Sequence, residues 1–405
     1  MSKQQDFQDP ETLFNLGLQL HQQGEQQEAV RIFSKIAEHL PDVPEVHYNL
    51  GLALYETEQY DRAADAYRRA AELKPDDEDI FYNLGLAYKK GERFAEAEKA
   101  YLDALELAPY DVDICYNLGC CYRDAGEIDQ ARFIFGRLAD EVPDHLPSLN
   151  NLAYLHHLAG EYDRARSVYE KILQLDPGHD SARFMHAALK GSPVDMPPQE
   201  YIRKLFDHYS DSFEENLIED LEYNIYLDLR TRFDAIADKK VYRHGLDLGC
   251  GTGLAGEAFR TACRCLSGVD LSDKMLSQAA AKQVYDHLHA DEIVDFLRRD
   301  ETTYDLFIAA DVLIYLGDLA VLFEAAGRRA APGSLFCLST EEYSAPGWTL
   351  QPNGRYAHHP DYVMETAGEC GWRELLAAPV NTRREGDAWV RGTLFILERN
   401  GGRDR

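Results

Sequence analysis

The apolar positions in the first half of the chain recur every 34 residues. The string Asn-Leu-Gly stands at Asn15-Leu16-Gly17, Asn49-Leu50-Gly51, Asn83-Leu84-Gly85 and Asn117-Leu118-Gly119, and a fifth copy reads Asn151-Leu152-Ala153. Each copy is followed by a small residue (Ala29, Ala63, Ala97, Ala131, Ala165) and, four positions later, by an aromatic one (Phe33, Tyr67, Tyr101, Phe135, Tyr169). A proline closes each unit: Pro41, Pro75, Pro109, Pro143 and Pro177. A fixed period of this length marks stacked supersecondary units, none of which can bury its apolar face alone. The pattern predicts two helices per unit. Small residues let the helices approach, the aromatic fills the space between adjacent units, and proline ends the second helix because it cannot continue one. Residues 181–191 predict a closing helix, which places the repeat domain at 1–191.

The periodicity breaks in the Pro- and Gly-containing stretch GSPVDMPPQE, residues 191–200. Residues 200–240 read as helical, with Phe206, Tyr209 and Phe213 spaced to share one helix face. We read 192–240 as a linker and helical lid, with Tyr209 expected to cover a ligand. From residue 242 short apolar runs alternate with helical stretches. Strands are expected at 244–249, 266–270, 287–290, 304–310, 334–339, 373–380 and 390–398. That alternation predicts a doubly wound α/β domain over 241–405.

Its first strand runs into Asp247-Leu248-Gly249-Cys250-Gly251-Thr252-Gly253, and its second ends at Asp270. Glycines permit a sharp turn and close approach of backbone to a ligand, and the next helix presents spare N–H groups. A carboxylate at the second strand end can accept hydrogen bonds from both hydroxyls of a ribose. The dinucleotide fingerprint would need a glycine three positions after Gly251, where this chain has Leu254.

The two halves carry two resemblances. The 34-residue units resemble tetratricopeptide repeats over about residues 10–179. DLGCGTG followed by GVDLS resembles the cofactor site of class I S-adenosylmethionine-dependent methyltransferases over about 242–400. The combination resembles bacterial tetratricopeptide-repeat-containing methyltransferases. The implied fold is an α-helical solenoid followed by a doubly wound, Rossmann-like, seven-stranded methyltransferase domain, with S-adenosylmethionine as cofactor.

The resemblance also implies site residues. Asp247 would orient the methionine amino group, with Gly249, Gly251 and Gly253 forming the turn. Asp270, with Leu271 beside it, would hold the ribose. Asp291 and the main chain of Glu292 would meet the adenine. Asp311 ends the fourth strand where methyl group and acceptor meet, with Tyr315 four residues on. Asp311, His358 and His359 are candidate bases, the histidines in a Pro/Gly-rich segment expected to be a substrate loop. In the repeats, Asn15, Asn49, Asn83, Asn117 and Asn151 would face the groove. Their amides could hold an extended peptide, or could serve local backbone groups.

Charge narrows the partners. Lys and Arg number 42 against 71 Asp and Glu, a net charge of −29, with the excess spread over both halves. Such a surface disfavours a phosphate backbone and an anionic membrane. No apolar run approaches the roughly 18 residues of a membrane helix, and the N-terminal MSKQQDFQDP has no apolar signal core. The eight cysteines show no metal-ligand spacing, so a reduced, cytoplasmic protein without a metal site is expected. The fourth strand ends AADVLIY and lacks the Asn/Asp-Pro-Pro-aromatic string of methyltransferases acting on base or glutamine amino nitrogens.

Three functions remain. The first is methylation of a protein or peptide held by the repeat groove. The second is methylation of a small thiol, phenol or acid, with the repeats used for assembly. The third is a scaffold that keeps a cofactor fold without turnover.

Overall fold

A computed structural model describes residues 9–210, 213–215, 217–218, 221–238, 241–386 and 388–401, without the side chains of His208, Tyr209 and Glu215. The chain divides into two compact units, one up to Val168 and one from Tyr169.

The first unit is built from helix pairs: α1 (Pro10–Gln22) with α2 (Gln26–His39), α3 (Pro44–Glu56) with α4 (Tyr60–Leu73), α5 (Glu78–Lys90) with α6 (Phe94–Leu107), and α7 (Val112–Asp124) with α8 (Ile128–Glu141). The fifth pair is α9 (Leu146–Leu158) and α10 (Tyr162–Leu175), and the division between the units falls within α10. The repeated aromatic packs on the glycine of its own unit. A Cβ on Gly85 would lie 2.6 Å from the Tyr101 ring, and one on Gly51 would lie 2.6 Å from Tyr67. Gly17 and Phe33, and Gly119 and Phe135, repeat the contact. The ring therefore occupies the space a side chain would take, and all four rings are essentially solvent-free.

The repeated asparagines turn their amides inward along the array. The Nδ2 groups of Asn83, Asn117 and Asn151 donate to the carbonyl four residues earlier, at 2.8, 2.9 and 2.9 Å. Each also reaches a tyrosine hydroxyl of the preceding unit: Tyr48 at 3.3 Å, Tyr82 at 3.0 Å and Tyr116 at 3.4 Å. Asn49 makes the intrahelical bond alone, to Glu45 at 2.7 Å, and Asn15 is exposed. The amide donors thus stitch neighbouring repeats together.

In the second unit α11 (Asp180–Lys190), α12 (Gln199–Tyr209), the single turn α13 (Phe213–Glu215) and α14 (Ile225–Ile236) precede the sheet. The expected boundary at 191–200 lies inside this unit. Phe184 of α11 packs on Tyr201 and Tyr356, with ring centroids 5.4 and 6.4 Å away.

The strands are β1 (Tyr242–Leu248), β2 (Cys263–Asp270), β3 (His287–Ala290), β4 (Tyr304–Ala309), β5 (Ala330–Glu342), β6 (Trp348–Leu350), β7 (Tyr356–His358), β8 (Trp372–Glu385) and β9 (Ala388–Arg399). Parallel pairing runs β3-β2-β1-β4-β5; β9 then joins β5 antiparallel, and β8 pairs with β9. The seven expected strands are present. The short pair β6 and β7 is added at the end of β5, and at three residues each such strands leave no alternation to read. Helices α15 (Leu254–Phe259), α16 (Asp273–Ala281), α17 (Ile293–Arg299), α18 (Ala320–Arg329) and α19 (Pro360–Glu369) join the strands.

Side chains alternate across the sheet. Phe307, Phe336, Phe395 and Leu397 bury one face with Phe323 and Trp372. Leu306, Ile308, Cys337, Leu394 and Ile396 bury the other with Phe233 and Phe259. Two covered faces explain the near-continuous apolar runs of the central strands.

One solenoid position is under-satisfied. The Tyr101 hydroxyl is buried with no hydrogen-bond partner among the described residues, while two other units carry Phe there. Tyr101→Phe is expected to raise the stability of the solenoid by about 1 kcal/mol, the lower end of the usual cost of an unpaired buried polar group. The urea midpoint of helix circular dichroism reads it; a lower midpoint would mean that the hydroxyl has a partner.

Candidate active site

Strand order reverses on either side of β1, and α/β sheets open a crevice at that point beyond the strand ends. Here the turn after β1 occupies it. Gly249, Gly251 and Gly253 have φ of +66°, +52° and +98°, values that L side chains rarely adopt. A Cβ on Gly249 would lie 2.3 Å from Val312, whereas one on Gly251 would meet nothing within 4 Å. Gly249 is thus required for packing, and Gly251 faces open space. Gly253 starts α15 and sits behind the turn, where a Cβ would approach Tyr285 to 3.2 Å. It is not part of the cavity wall.

Asp270 ties this turn to β2. One carboxylate oxygen accepts from the Gly251 N–H and the other from the Ser272 N–H, each at 2.9 Å. Each oxygen keeps lone-pair capacity for a further donor. Burial raises the Asp270 pKa, opposed by those N–H bonds. Asp247 lies buried beneath the turn. The Tyr285 hydroxyl donates to one of its oxygens at 2.6 Å, while the other has no partner among the described residues. Burial pushes this carboxyl up to about 7. The Thr252 hydroxyl, on the cavity wall, is likewise buried and unpaired.

Gly249, Cys250, Gly251, Asp270, Leu271, Glu292 and Ile293 line the cavity. Asp291 is turned away from it, paired with Arg299 and accepting from the Glu292 N–H. The expected adenine contact through the Asp291 side chain therefore needs a different rotamer. The Glu292 carboxylate caps α17 by accepting from the Asp295 N–H at 2.7 Å.

The lid segment supplies the roof. Ile202, Phe206, Phe213, Leu217, Leu221 and Tyr223 line the cavity. Helix α12 is fastened to the end of β2: the Ser272 hydroxyl donates to the Asp207 carboxylate at 2.5 Å, and Gln278 Nε2 donates to the Ser210 carbonyl at 2.7 Å. The Tyr209 side chain, expected to cover the ligand, lies outside the described residues.

Part of the wall is polar. Asp311 follows β4 at a φ of +58°, a strained conformation for a residue with a side chain and one that clusters at functional sites. Its N–H donates to Ser339 Oγ at 2.9 Å. Burial pushes its carboxyl up to about 6 against the pull of Arg383 and Arg355. Tyr315 stands beside it on the wall, edge-on to Phe206 at 5.4 Å. Arg383, almost solvent-free, places Nη2 2.6 Å from Glu341 and 2.9 Å from Glu385, with Nη1 3.9 Å from Asp311. A β-bulge between Asn381 and Arg383 breaks the alternation of β8, so that Thr382 and Arg383 are both buried. Bulges re-aim side chains in this way beside functional sites.

His358 and His359 do not line this cavity. They belong to a strand and a helix cap instead of a substrate loop. His358 is fully buried in β7, with Nε2 3.1 Å from the Gly317 carbonyl, and burial holds its pKa down to about 4. His359 caps α19. Sequence reasoning missed Thr252, Arg355 and Arg383. Arg355 sat unremarked in the Pro/Gly-rich segment, and nothing in the pattern of β8 announced a bulge. Among the described residues no group of His, Cys, Asp or Glu could hold a metal ion, and no helix is long and apolar enough to cross a membrane.

Comparison with known proteins bears on both units. Residues 246–336 match the family described as a methyltransferase domain. Residues 11–42, 52–91, 89–153 and 147–179 match tetratricopeptide-repeat families. The chain carries tetratricopeptide repeats followed by a methyltransferase domain. It is 29% identical over 115 residues to a ubiquinone biosynthesis O-methyltransferase of Hydrogenovibrio crunogenus, covering 27% of this chain and 45% of that protein. The chain spans about half the length of the curated relatives it matches. Similar solved structures include MamA from Desulfovibrio magneticus (22% identity, 44% of this chain and 100% of that one, TM-score 0.40). Another is the N-methyltransferase NodS of Bradyrhizobium japonicum in complex with S-adenosyl-L-homocysteine (16% identity, 49% and 98%, TM-score 0.41).

The residues present suit S-adenosylmethionine. Asp247 lies beneath the turn and not on the cavity wall, but keeps an unpaired buried oxygen; Gly251 leaves room for the ligand, and Asp270 keeps acceptor capacity for ribose hydroxyls. Because Asp247 titrates near 7, affinity for S-adenosylhomocysteine is expected to weaken as the pH falls through about 7 and the carboxylate is lost. The Asp247→Asn variant should bind more weakly and lose this dependence. Calorimetric titration between pH 5.5 and 8.5 (about one and a half units either side) checks both.

Proposed function

We propose that this chain transfers a methyl group from S-adenosylmethionine to an oxygen of a small acceptor enclosed beneath the lid, and that its repeats engage a protein partner. One arrangement carries the reading: the Asp270-tied glycine turn and the Asp311 carboxylate line the same cavity, roofed by α12 and the segment after it. The roof favours a small acceptor. Within the repeats, the amide donors of Asn83, Asn117 and Asn151 are already used by the solenoid, which weakens the case for a peptide held along that row. The curated relatives are named as ubiquinone biosynthesis O-methyltransferases, and this supports oxygen as the acceptor atom.

Bound S-adenosylmethionine supplies an electrophilic methyl group on a sulfonium. The chain's contribution is alignment and exclusion of water, which can provide several kcal/mol of barrier lowering. Asp270 and the turn hold the nucleoside end. Phe206, Phe213 and Tyr223 keep water from the reacting centre. A hydroxyl acceptor must also lose a proton, and Asp311 is placed to take it. With its pKa near 6, Asp311 is ionised at neutral pH yet basic enough to help.

Two measurements test the reading. At saturating S-adenosylmethionine, kcat is expected to fall as the pH drops below about 6, where Asp311 becomes protonated. Asp311→Asn, which tolerates the same backbone conformation, should lower kcat by roughly 10²–10⁴-fold and flatten that limb. Separately, labelled methyl donor given to macromolecular and small-molecule fractions of the host extract should label the small-molecule fraction. Label confined to protein would establish a polypeptide acceptor instead.

A further inference from the structure

We infer that the acceptor carries a carboxylate, held by Arg383 and Arg355 on the cavity wall beside Asp311. The inference rests on the methyl-transfer reading above and deepens it. Arg383 has a side chain only 1% exposed, yet its Nη1 makes no hydrogen bond among the described residues. The nearest carboxylate, Asp311, is 3.9 Å away, within ion-pair range but too far to accept. Arg355 repeats the situation. Its Nη1 is also buried and unbonded, with Glu341 and Glu385 at 3.8 and 3.6 Å. Both arginines line the cavity.

A guanidinium buried without filling its donors is unusual, because buried polar groups are nearly always satisfied. Here the neighbouring carboxylates are committed elsewhere. Glu341 takes Arg383 Nη2 on one oxygen and Gln351 Nε2 on the other, at 2.6 and 2.8 Å. Glu385 takes the same Nη2 at 2.9 Å. The two Nη1 groups are left without an acceptor in side chains that both line the cavity, and arginine donors suit planar oxyanions. A singly charged carboxylate fits better than a phosphate dianion, because Asp311, Glu341 and Glu385 already crowd the arginines with negative charge. Phe206 and Tyr315 give the acceptor's body an apolar, aromatic surface. A carboxylate anchored by the arginines would leave a hydroxyl of the same molecule free to face Asp311.

The test is calorimetric titration of the full chain, saturated with S-adenosylhomocysteine, with benzoate, its neutral isostere benzamide, and inorganic phosphate. Benzoate is expected to bind at least tenfold more tightly than benzamide, and more tightly than phosphate. Arg383→Gln and Arg355→Gln should each weaken benzoate at least tenfold while changing affinity for S-adenosylhomocysteine less than twofold. Should Arg383→Gln fail to fold, Arg355→Gln decides, since that side chain is 28% exposed. Equal affinity for benzoate and benzamide, no benzoate binding at millimolar concentration, or full benzoate affinity in the Arg355 variant would overturn the proposal. Tighter phosphate binding would overturn the carboxylate assignment. Loss of S-adenosylhomocysteine binding in the wild-type chain would sink the methyl-transfer reading, and the benzoate comparison without it would still decide the anion site.

Discussion

The hydrogen bond from the Gly251 N–H to the Asp270 carboxylate joins the ends of β1 and β2 beside the crevice where strand order reverses between β1 and β4. Three glycines at positive φ make the turn possible, and Asp270 holds it open toward the cavity. The same strand end anchors the roof, because Ser272, two residues on, donates to Asp207 of α12. A change at Asp270 would therefore disturb the floor of the site and its lid together. Beneath them Asp247, unpaired on one oxygen, has been moved into the physiological range chiefly by burial, against the Tyr285 hydrogen bond and with a smaller push from the Asp270 charge.

The cavity wall around Asp311 is organised by charge. Asp311 stands in a left-handed conformation after β4, and a bulge in β8 brings Arg383 up beside it from a strand distant in sequence. Burial and the guanidinium groups act on Asp311 in opposite directions, and burial dominates. The outcome is a carboxylate whose basicity is suited to proton transfer near neutral pH. Arg383 cannot reach it closely because Glu341 and Glu385 hold its other nitrogen.

The solenoid follows a simpler rule. Glycine in the first helix and an aromatic in the second form a single packing unit, and Asn83, Asn117 and Asn151 each add a hydrogen bond to the unit before. At these three positions the amide donors serve cohesion of the array.

Much of this was legible in the chain itself. A 34-residue period determines a helical array, because only stacked units can bury such a pattern. A glycine turn after one strand and an acidic end to the next determine the nucleoside crevice, because those features are local in sequence. The seven main strands followed from apolar runs covered on both faces. What needed tertiary structure was long-range or irregular. The bulge that buries Arg383 is invisible in an alternating strand, and its partners Glu341 and Asp311 lie 42 and 72 positions away along the chain. His358 and His359 resembled loop residues, but pairing of the short β6 and β7 buried the first, and the start of α19 claimed the second. The direction of the Asn amides, toward the neighbouring unit instead of solvent, was likewise decided by which tyrosine hydroxyl the stacked helices placed within reach.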